Sequence, residues 1–308
     1  MAAPYASGAV PGRTPTTLSV GEDELHLWML RQPWTSLSSE PLMTAELDEH
    51  ERDKADSFMR AHDRLLYTAA HIALRRLLSA YSGIPPARLR FAREPCAECS
   101  EPHGRPVLAP GMPRLHFSLS HSSGLVAFGI ARSPVGIDVE KLPTEETVEL
   151  CIADLHPREQ AELAELTGEE RLAAFARLWT RKEAYLKGIG TGLSRDLALD
   201  YLGGGVGGRP SASPPGWTVL NLPPGSSHVT HSVAAAVEGS RDYCTTVRWL
   251  RADTLYAPDP AGVITNDEPR VCATLPASAS ARSLSAVGAA APAPRSATSR
   301  RDEVIHAD

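Results

Sequence analysis

Hydrophobic positions follow two different periods along the chain, which predicts a protein that mixes helices and strands. A short apolar run at Leu25–Leu30 is typical of a buried strand. From Thr44 to Tyr81, apolar residues recur at three- and four-residue steps, which predicts helix. Alternating segments at 116–122, 125–131 and 135–140 predict three further strands separated by turn residues.

The second half of the chain repeats this mixture. Residues 145–172 are acidic with a helical period, and 173–190 predict another helix that ends at glycines. Later strands are predicted at 197–203, 217–222, 232–239 and 244–250.

Composition divides the chain into two subdomains with flexible ends. Residues 1–21 and 256–308 are rich in small residues and proline and lack periodicity, so we expect a disordered N-terminus and a disordered low-complexity tail. Residues 22–133 and 134–255 each combine strands and helices and are predicted as N-terminal and C-terminal subdomains. The glycine-rich stretch 203–216 is expected to be a flexible insertion.

Charge and targeting signals narrow the classes of function. The chain of 308 residues has a net charge of −6, which argues against nucleic-acid partners because these require a basic surface. We find no apolar run long enough to span a bilayer and no secretory pattern at the start, so we expect a cytoplasmic protein without a membrane partner.

Cysteine usage does not indicate a disulfide framework. The number of cysteines is odd, and Cys96 and Cys99 form the only close pair. A single C-x-x-C leaves two interpretations open, a zinc site or ordinary reduced thiols.

Two carboxylates lie side by side on one predicted strand. Residues two apart on a strand share a face, so Asp138 and Glu140 project together while Ile137 and Val139 face the core. Their mutual repulsion would be relieved by a hard divalent cation such as Mg²⁺. The alternative is a half-exposed strand with two solvated acids.

A second candidate lies on the helix at 173–190. Its period places Trp179, Glu183 and Lys187 along one face. One interpretation is a surface helix with a Glu–Lys pair and a buried tryptophan. The other adds Glu183 to the same cation and Lys187 to a phosphate, which would make a magnesium–pyrophosphate site.

A third candidate is the segment His116–Ser122. Alternation places Ser118, Ser120 and Ser122 on one face. If the strand ends at Ser120, His121 lies at a turn and can face a ligand, whereas a single histidine is more often structural.

Together, the ordered motifs HFSLSHS, GIDVE and WTRKEAYLKGIGTGL resemble the 4′-phosphopantetheinyl transferases of the surfactin-synthetase-activating type. The separation of Glu140 and Glu183 also matches that family, and the likeness covers roughly residues 22–250. The resemblance implies an α+β or α/β fold of two similar subdomains related by a pseudo-twofold axis. It implies a monomer that binds coenzyme A in the cleft and transfers its phosphopantetheine arm to a serine of apo acyl or peptidyl carrier proteins, releasing 3′,5′-ADP.

The resemblance also assigns roles to individual residues. Asp138, Glu140 and Glu183 match magnesium ligands, and Asp138, Glu183 and Lys187 are the expected catalytic residues. Glu183 matches the candidate base, acting directly or through water, and Lys187 the group that contacts the α-phosphate and protonates the leaving group. The expected contacts to coenzyme A are Lys54, Arg64, Arg105, Ser120, His121, Glu159, Lys182 and Lys187.

Two other functions stay open at this stage. One is an inactive relative that binds coenzyme A or a carrier protein without transfer. The other is an unrelated magnesium phosphohydrolase that uses the same three carboxylates. The lean towards carriers of secondary metabolism rests on resemblance alone.

Overall fold

The computed structural model of the protein describes residues 17–32, 42–204, 211–222, 230–258 and 262–264. Its strands are β1 (Glu24–Arg31), β2 (Phe91–Arg93), β3 (Pro106–Leu108), β4 (His116–Ser122), β5 (Leu125–Ala131), β6 (Val135–Lys141), β7 (Trp217–Leu222), β8 (His231–Glu238) and β9 (Cys244–Trp249). Its helices are α1 (Glu49–Ser57), α2 (Ala61–Ser82), α3 (Glu145–Cys151), α4 (Pro157–Ala164) and α5 (Gly168–Ile189).

Two sheets form the centre of the fold. The first has the order β4-β5-β1-β9, in which β9 runs parallel to β1 and the other pairs are antiparallel. The second is antiparallel with the order β6-β8-β7, and β2 and β3 form a separate short hairpin. Although β9 lies in the predicted C-terminal subdomain 134–255, it completes the first sheet rather than the second.

Strand alternation explains how the layers stack. On β1, Leu25, Leu27 and Met29 pack between the two sheets, whereas Trp28 and Leu30 pack against α2. On β8, Ala234 and Ala236 lie on the face of the second sheet that packs against α5 and not on the face that meets the first sheet. The layers are therefore α2, first sheet, second sheet and α5, with one 22-residue helix on each outer face. This arrangement confirms the predicted mixed α/β class of fold.

Two predicted elements differ from the structure. The helix predicted over 44–81 is two helices, because the backbone is extended at Phe58 and Arg60 between α1 and α2. The strand predicted at 197–203 is a loop. Its carbonyl groups at Leu197 and Asp200 accept hydrogen bonds from a buried lysine instead of from a neighbouring strand.

Parts of both predicted disordered ends pack against the core between α2 and the first sheet. Val20 is buried beside α2. At the other end, the guanidinium of Arg76 donates to the carbonyl of Ala257, and the side chain of Ile264 is 3% exposed. The rest of these predicted segments, residues 1–16, 259–261 and 265–308, and residues 205–210 of the insertion lie outside the described residues.

In the part of the chain that is described, no helix combines the length and apolar character needed to cross a membrane.

Candidate active site

The polar centre of the molecule lies where β6 meets α5. Asp138 projects from β6 towards α5, which presents Glu183 and Lys187 one helical turn apart. The two backbones are in contact here, because a Cβ atom at Gly136 would overlap the carbonyl oxygen of Ala184. A glycine two residues before Asp138 therefore permits the close approach.

Two buried carboxylate oxygens at this centre lack a hydrogen-bond partner. Asp138 is 1% exposed, and its Oδ1 accepts from Lys187 Nζ at 2.7 Å and Ser120 Oγ at 2.9 Å. Its other oxygen, Oδ2, and Oε1 of Glu183 are buried without a partner. Because an unpaired buried polar atom is costly, the arrangement is that of a site built for a ligand.

Burial and the charge of Asp138 raise the pKa of the two neighbouring glutamates. Burial, with the charge of Asp138, raises the pKa of Glu183 to about 7. Burial and Asp138 also raise the pKa of Glu140 to about 8, although Ser122 Oγ donates to its Oε2 at 2.8 Å.

Lys187 provides the positive charge nearest to these acids. Burial opposes its ionisation, but Asp138, Glu183 and Glu140 outweigh this effect and raise the pKa of Lys187. The ammonium group therefore stays protonated and lies 3.0 Å from Ser120 Oγ.

Serine hydroxyls connect β4 to β6, which belong to different sheets. The backbone N–H groups of Ile137 and Val139 donate to Ser118 Oγ and Ser120 Oγ at 2.9 and 3.3 Å. Ser120 Oγ also donates to Asp138, so one hydroxyl both joins the strands and orients the acid. The three serines therefore alternate along β4 as predicted, and their side chains lie on the face that meets β6 and its acids.

A cleft of about 780 Å³ opens beside this centre. Glu183 and Lys187 line it from α5, and Tyr67, His71 and Leu74 line it from α2. Its wall also includes Phe91–Arg93 and His103–Pro106 from the β2–β3 hairpin, Phe117–Leu119 from β4, and Gly190–Ser194 after α5. One chain therefore provides both sides of the cleft.

The structure brings His121 and Arg105 to this region. Burial, with the nearby charges of His71 and Lys187, lowers the pKa of His121 to about 4, so its imidazole is neutral at pH 7. Arg105 lines the cleft, donating to Glu94 Oε2 at 3.0 Å and to the carbonyl of Gly188 at 2.8 Å.

Lys182 and Glu159 form a buried ion pair with each other outside the lining of the cleft. Lys182 Nζ is 2.9 Å from Glu159 Oε2, and both side chains are almost fully buried. The remaining bonds of Lys182 go to the carbonyls of Leu197 and Asp200, while Glu159 accepts from the N–H of Leu202. The polar groups of Lys182 and Glu159 are therefore hydrogen-bonded among α4, α5 and the loop that follows α5. Neither residue lines the cleft.

Lys54 and Arg64 also lie outside the lining of the cleft. Lys54 is in the last turn of α1. The side chain of Arg64 is half exposed, and its guanidinium donates to the carbonyls of Asp56 and Phe58 at the junction of α1 and α2.

A buried ionic network in the wall of the cleft was not predicted from the sequence. Arg75 donates to Glu51 at 2.6 Å and to Asp48 at 2.7 Å, and Glu51 lies 3.1 Å from His71 Nδ1. His71 and Arg75 overcome the effect of burial and lower the pKa of Glu51. The capping box formed by Asp48 and Glu51 was a sequence signal that could have located one half of this network.

Comparison with known proteins identifies the family. A profile of the 4′-phosphopantetheinyl transferase superfamily matches residues 134–247. The 4′-phosphopantetheinyl transferase HetI of a Nostoc species is 32% identical over 231 residues, which cover 73% of this chain and 92% of that protein. The chain belongs to the 4′-phosphopantetheinyl transferase superfamily.

Other phosphopantetheinyl transferases match over shorter stretches. A 4′-phosphopantetheinyl transferase of Bacillus subtilis is 26% identical over 53% of this chain and 68% of its own length. The Sfp protein of Bacillus subtilis strain 168 is 26% identical over 49% of this chain and 63% of its own length. The protein is thus a phosphopantetheinyl transferase, and Asp138, Glu140, Glu183 and Lys187 all lie within the stretch that the superfamily profile matches.

Proposed function

We propose that this transferase moves the 4′-phosphopantetheine arm of coenzyme A to a serine hydroxyl of an apo carrier protein and releases 3′,5′-ADP. The observation that carries the proposal is the pair of unpartnered carboxylate oxygens, Asp138 Oδ2 and Glu183 Oε1, next to a protonated Lys187 at the cleft. A diphosphate needs this combination of cation-binding oxygens and a fixed positive charge.

The donor atoms fit Mg²⁺. Asp138, Glu140 and Glu183 offer only carboxylate oxygens, which are hard donors, and two of these oxygens lack any other partner. We therefore propose these three residues as the magnesium ligands. When bound, the ion would neutralise charge on the diphosphate of coenzyme A.

The residues of the chain itself account for the proton transfers. The serine hydroxyl attacks the β-phosphorus, and its proton moves to Glu183, directly or through a water. In the metal-free site, burial and the charge of Asp138 raise the pKa of Glu183 to about 7, which makes its carboxylate a stronger base than an exposed one. The bond between the β-phosphorus and the bridging oxygen breaks, and Lys187 holds a proton for the oxygen that leaves with 3′,5′-ADP.

Binding of coenzyme A is assigned to groups at the cleft. Arg105 lines it, while Ser120 and His121 border Lys187 and Asp138, so these three stay in the proposed binding site. Lys54 and Arg64 could reach a ligand only beyond the described cleft. Lys182 and Glu159 are assigned a structural role, because their buried ion pair faces the loop after α5.

The proposed acceptors are acyl or peptidyl carrier proteins of nonribosomal peptide, polyketide or related synthases. This choice is supported by the likeness to the surfactin-synthetase-activating type. A monomeric state is proposed because one chain lines both sides of the cleft, and a cytoplasmic location is part of the same proposal.

Intact-mass spectrometry of an apo carrier protein incubated with the enzyme, coenzyme A and Mg²⁺ tests the reaction. We expect a gain of one phosphopantetheine that EDTA prevents. Coenzyme A binding without transfer to any of several carriers would instead indicate an inactive relative. Consumption of coenzyme A without carrier modification would indicate a hydrolase.

Variants at the acids test the proposed residues. Asp138→Asn and Glu183→Gln should each lower the rate of transfer by about 10³-fold or more, since each removes a charge that acts in the transition state. Glu146→Gln is the control, because Glu146 is an exposed acid on α3. Circular dichroism should show all three variants folded. A normal rate in either site variant would contradict the assignment.

A further inference from the structure

The loop between β2 and β3 gathers three metal-binding side chains away from the acids. Cys96, Cys99 and His103 follow a C-x₂-C-x₃-H spacing, and their ligand atoms all lie within 4.8 Å of one another. Cys99 Sγ is 2.9 Å from His103 Nε2. The proposed transfer reaction uses none of these groups.

Backbone amides of the turn are directed at the sulfur of Cys96. The N–H groups of Cys99 and Glu98 donate to Cys96 Sγ. The turn is closed by a 2.8 Å bond from the N–H of Ser100 to the carbonyl of Cys96, with Ser100 at φ 64°. Ser100 thus adopts the left-handed conformation that few non-glycine residues adopt, and the turn directs several amides at one sulfur.

The third ligand is held by the closure of the same loop. The N–H of Glu94 donates to the carbonyl of Arg105 at 3.0 Å, and the N–H of Gly104 donates to the carbonyl of Glu94 at 2.9 Å. A Cβ atom at Gly104 would overlap the carbonyl oxygen of Glu94, so this close return needs glycine. These backbone hydrogen bonds therefore place His103 close to the two cysteines.

We propose that Cys96, Cys99 and His103 bind one zinc ion. Two thiolates and an imidazole are the donors that Zn²⁺ prefers, whereas the all-oxygen cluster at Asp138 suits Mg²⁺, so the two metals sort by ligand chemistry. Tetrahedral zinc separates a bound sulfur and nitrogen by roughly 3.5 Å. The Cys99–His103 contact would therefore lengthen by about half an ångström, which the exposed side chains of both residues allow.

The zinc would stiffen one rim of the cleft. His103 and Arg105 both line the cleft and lie on this loop. Arg195 Nη1 bonds Glu98 at 2.7 Å, which ties the turn to the segment after α5. The fourth position of the metal faces solvent, because Cys99 and His103 are exposed, and water is the ligand we assign to it.

Metal analysis and cobalt spectroscopy of the purified full chain test this proposal. We expect about one zinc per chain by elemental mass spectrometry. After chelation, titration with Co²⁺ should give an ultraviolet sulfur-to-cobalt charge-transfer band, and added Zn²⁺ should displace it. Absence of bound zinc together with absence of this band would overturn the proposal. A Cys96–Cys99 disulfide would lower the mass of the chain by two units and block the band. If that disulfide persists in reductant-free buffer, the zinc proposal is overturned in favour of a redox pair.

Variants locate the site. Cys99→Ser and His103→Ala should each lower zinc content about tenfold or more, since loss of one of three protein ligands is severe. Both residues are exposed, so folding should be retained, which circular dichroism checks. Cys244→Ser is the matched control, because Cys244 is exposed at the start of β9 outside the cluster, and it should retain the zinc.

The acids provide a second control that separates this site from the proposed magnesium site. Asp138→Asn should retain the zinc and the sulfur-to-cobalt band even where it abolishes transfer. Loss of that band in Asp138→Asn, with the band unchanged in Cys99→Ser, would show that the metal lies elsewhere and would contradict the proposal.

Discussion

At the scale of single residues, the site places three carboxylates, Asp138, Glu140 and Glu183, close enough to repel one another. Asp138 Oδ1 accepts from Lys187 and Ser120, whereas Asp138 Oδ2 and Glu183 Oε1 have no partner. Burial and the charge of Asp138 raise the pKa of both Glu183 and Glu140 above the ordinary value of 4.5. Each of these glutamates therefore destabilises the metal-free fold once it ionises.

This repulsion predicts a pH-dependent effect of Mg²⁺. Below about pH 4.5 both glutamates are protonated in either state. As the pH rises towards 8, the unfolded chain releases these protons first, so the metal-free fold loses stability across this window. The proposed Mg²⁺ ion would bind the ionised acids, so its apparent affinity should rise at least about tenfold from pH 6 to pH 8.

Thermal shift titrations with Mg²⁺ at pH 6 and pH 8 measure this effect. Glu140→Gln removes the more strongly shifted group and should flatten the dependence. Equal affinities at the two pH values in the unmodified protein would contradict the electrostatic picture.

The pattern of residues predicted which acids share a face, but not which helix faces meet the cleft. Asp138 and Glu140 follow from the period of a strand, and Glu183 and Lys187 from one helical turn. Lys182 is adjacent to Glu183 in sequence, yet it points to a buried Glu159. Consecutive helical positions differ by about 100°, so only tertiary packing decides which of two neighbours reaches the site.

At the scale of secondary-structure elements, the contact between β6 and α5 determines the site. Gly136 lets the backbone of α5 lie directly on the strand, and Gly188 leaves room for the ring of Trp217. The distance between Asp138 and Glu183 thus depends on two positions without side chains. The sequence predicted both elements, but it gave no signal that they touch through glycine.

Gly136→Ala should therefore impair both folding and transfer. The added methyl group overlaps backbone atoms of Ala184 and Gly188, which forces α5 away from β6 at a cost of about 1–3 kcal/mol or more. Chemical denaturation measures the stability, and carrier labelling measures the rate. Gly129→Ala on β5 is the control, because its methyl group would meet side chains at 3.4 Å or beyond and should be tolerated. A fully active Gly136→Ala enzyme would contradict this view of the contact.

The serine connection between β4 and β6 separates structural from catalytic effects. Ser118→Ala and Ser120→Ala each remove an acceptor of a backbone N–H group and should cost about 1 kcal/mol in stability. Ser120→Ala additionally frees Asp138 Oδ1 from its hydroxyl donor, so it alone should reduce kcat clearly. Steady-state kinetics with a carrier protein compare the two. Equal losses of kcat would mean that Ser120 acts only as a connector.

At the scale of the whole molecule, residues after β9 stabilise α2 and the core that it forms with the first sheet. Arg76 is fully buried on α2, and its guanidinium bonds the carbonyls of Thr254 and Ala257 as well as Glu46. Leu255 and Ile264 fill the core beside it. Composition alone placed the tail boundary at residue 256, before Ala257 and Ile264, because isolated apolar positions in a proline- and alanine-rich stretch carry no period.

Two truncations test where the folded chain ends. A chain ending at Ile264 should keep its stability and activity, since it retains every described contact. A chain ending at Leu250 leaves Arg76 buried without its carbonyl partners and removes Leu255 and Ile264 from the core. Its Tm should fall by about 10 °C or more. A normal Tm for the shorter chain, measured by calorimetry, would contradict the anchoring role.

The parallel pairing of β9 with β1 also bears on how the protein is made. Glu24 is paired with Cys244, so the first sheet is completed only after almost all of the folded region has left the ribosome. Contacts of such long sequence separation form slowly, and the exposed edge of β1 must wait for them. The nascent N-terminal half should therefore depend on chaperone protection during translation, and the two halves should reach the native state together in one cooperative step.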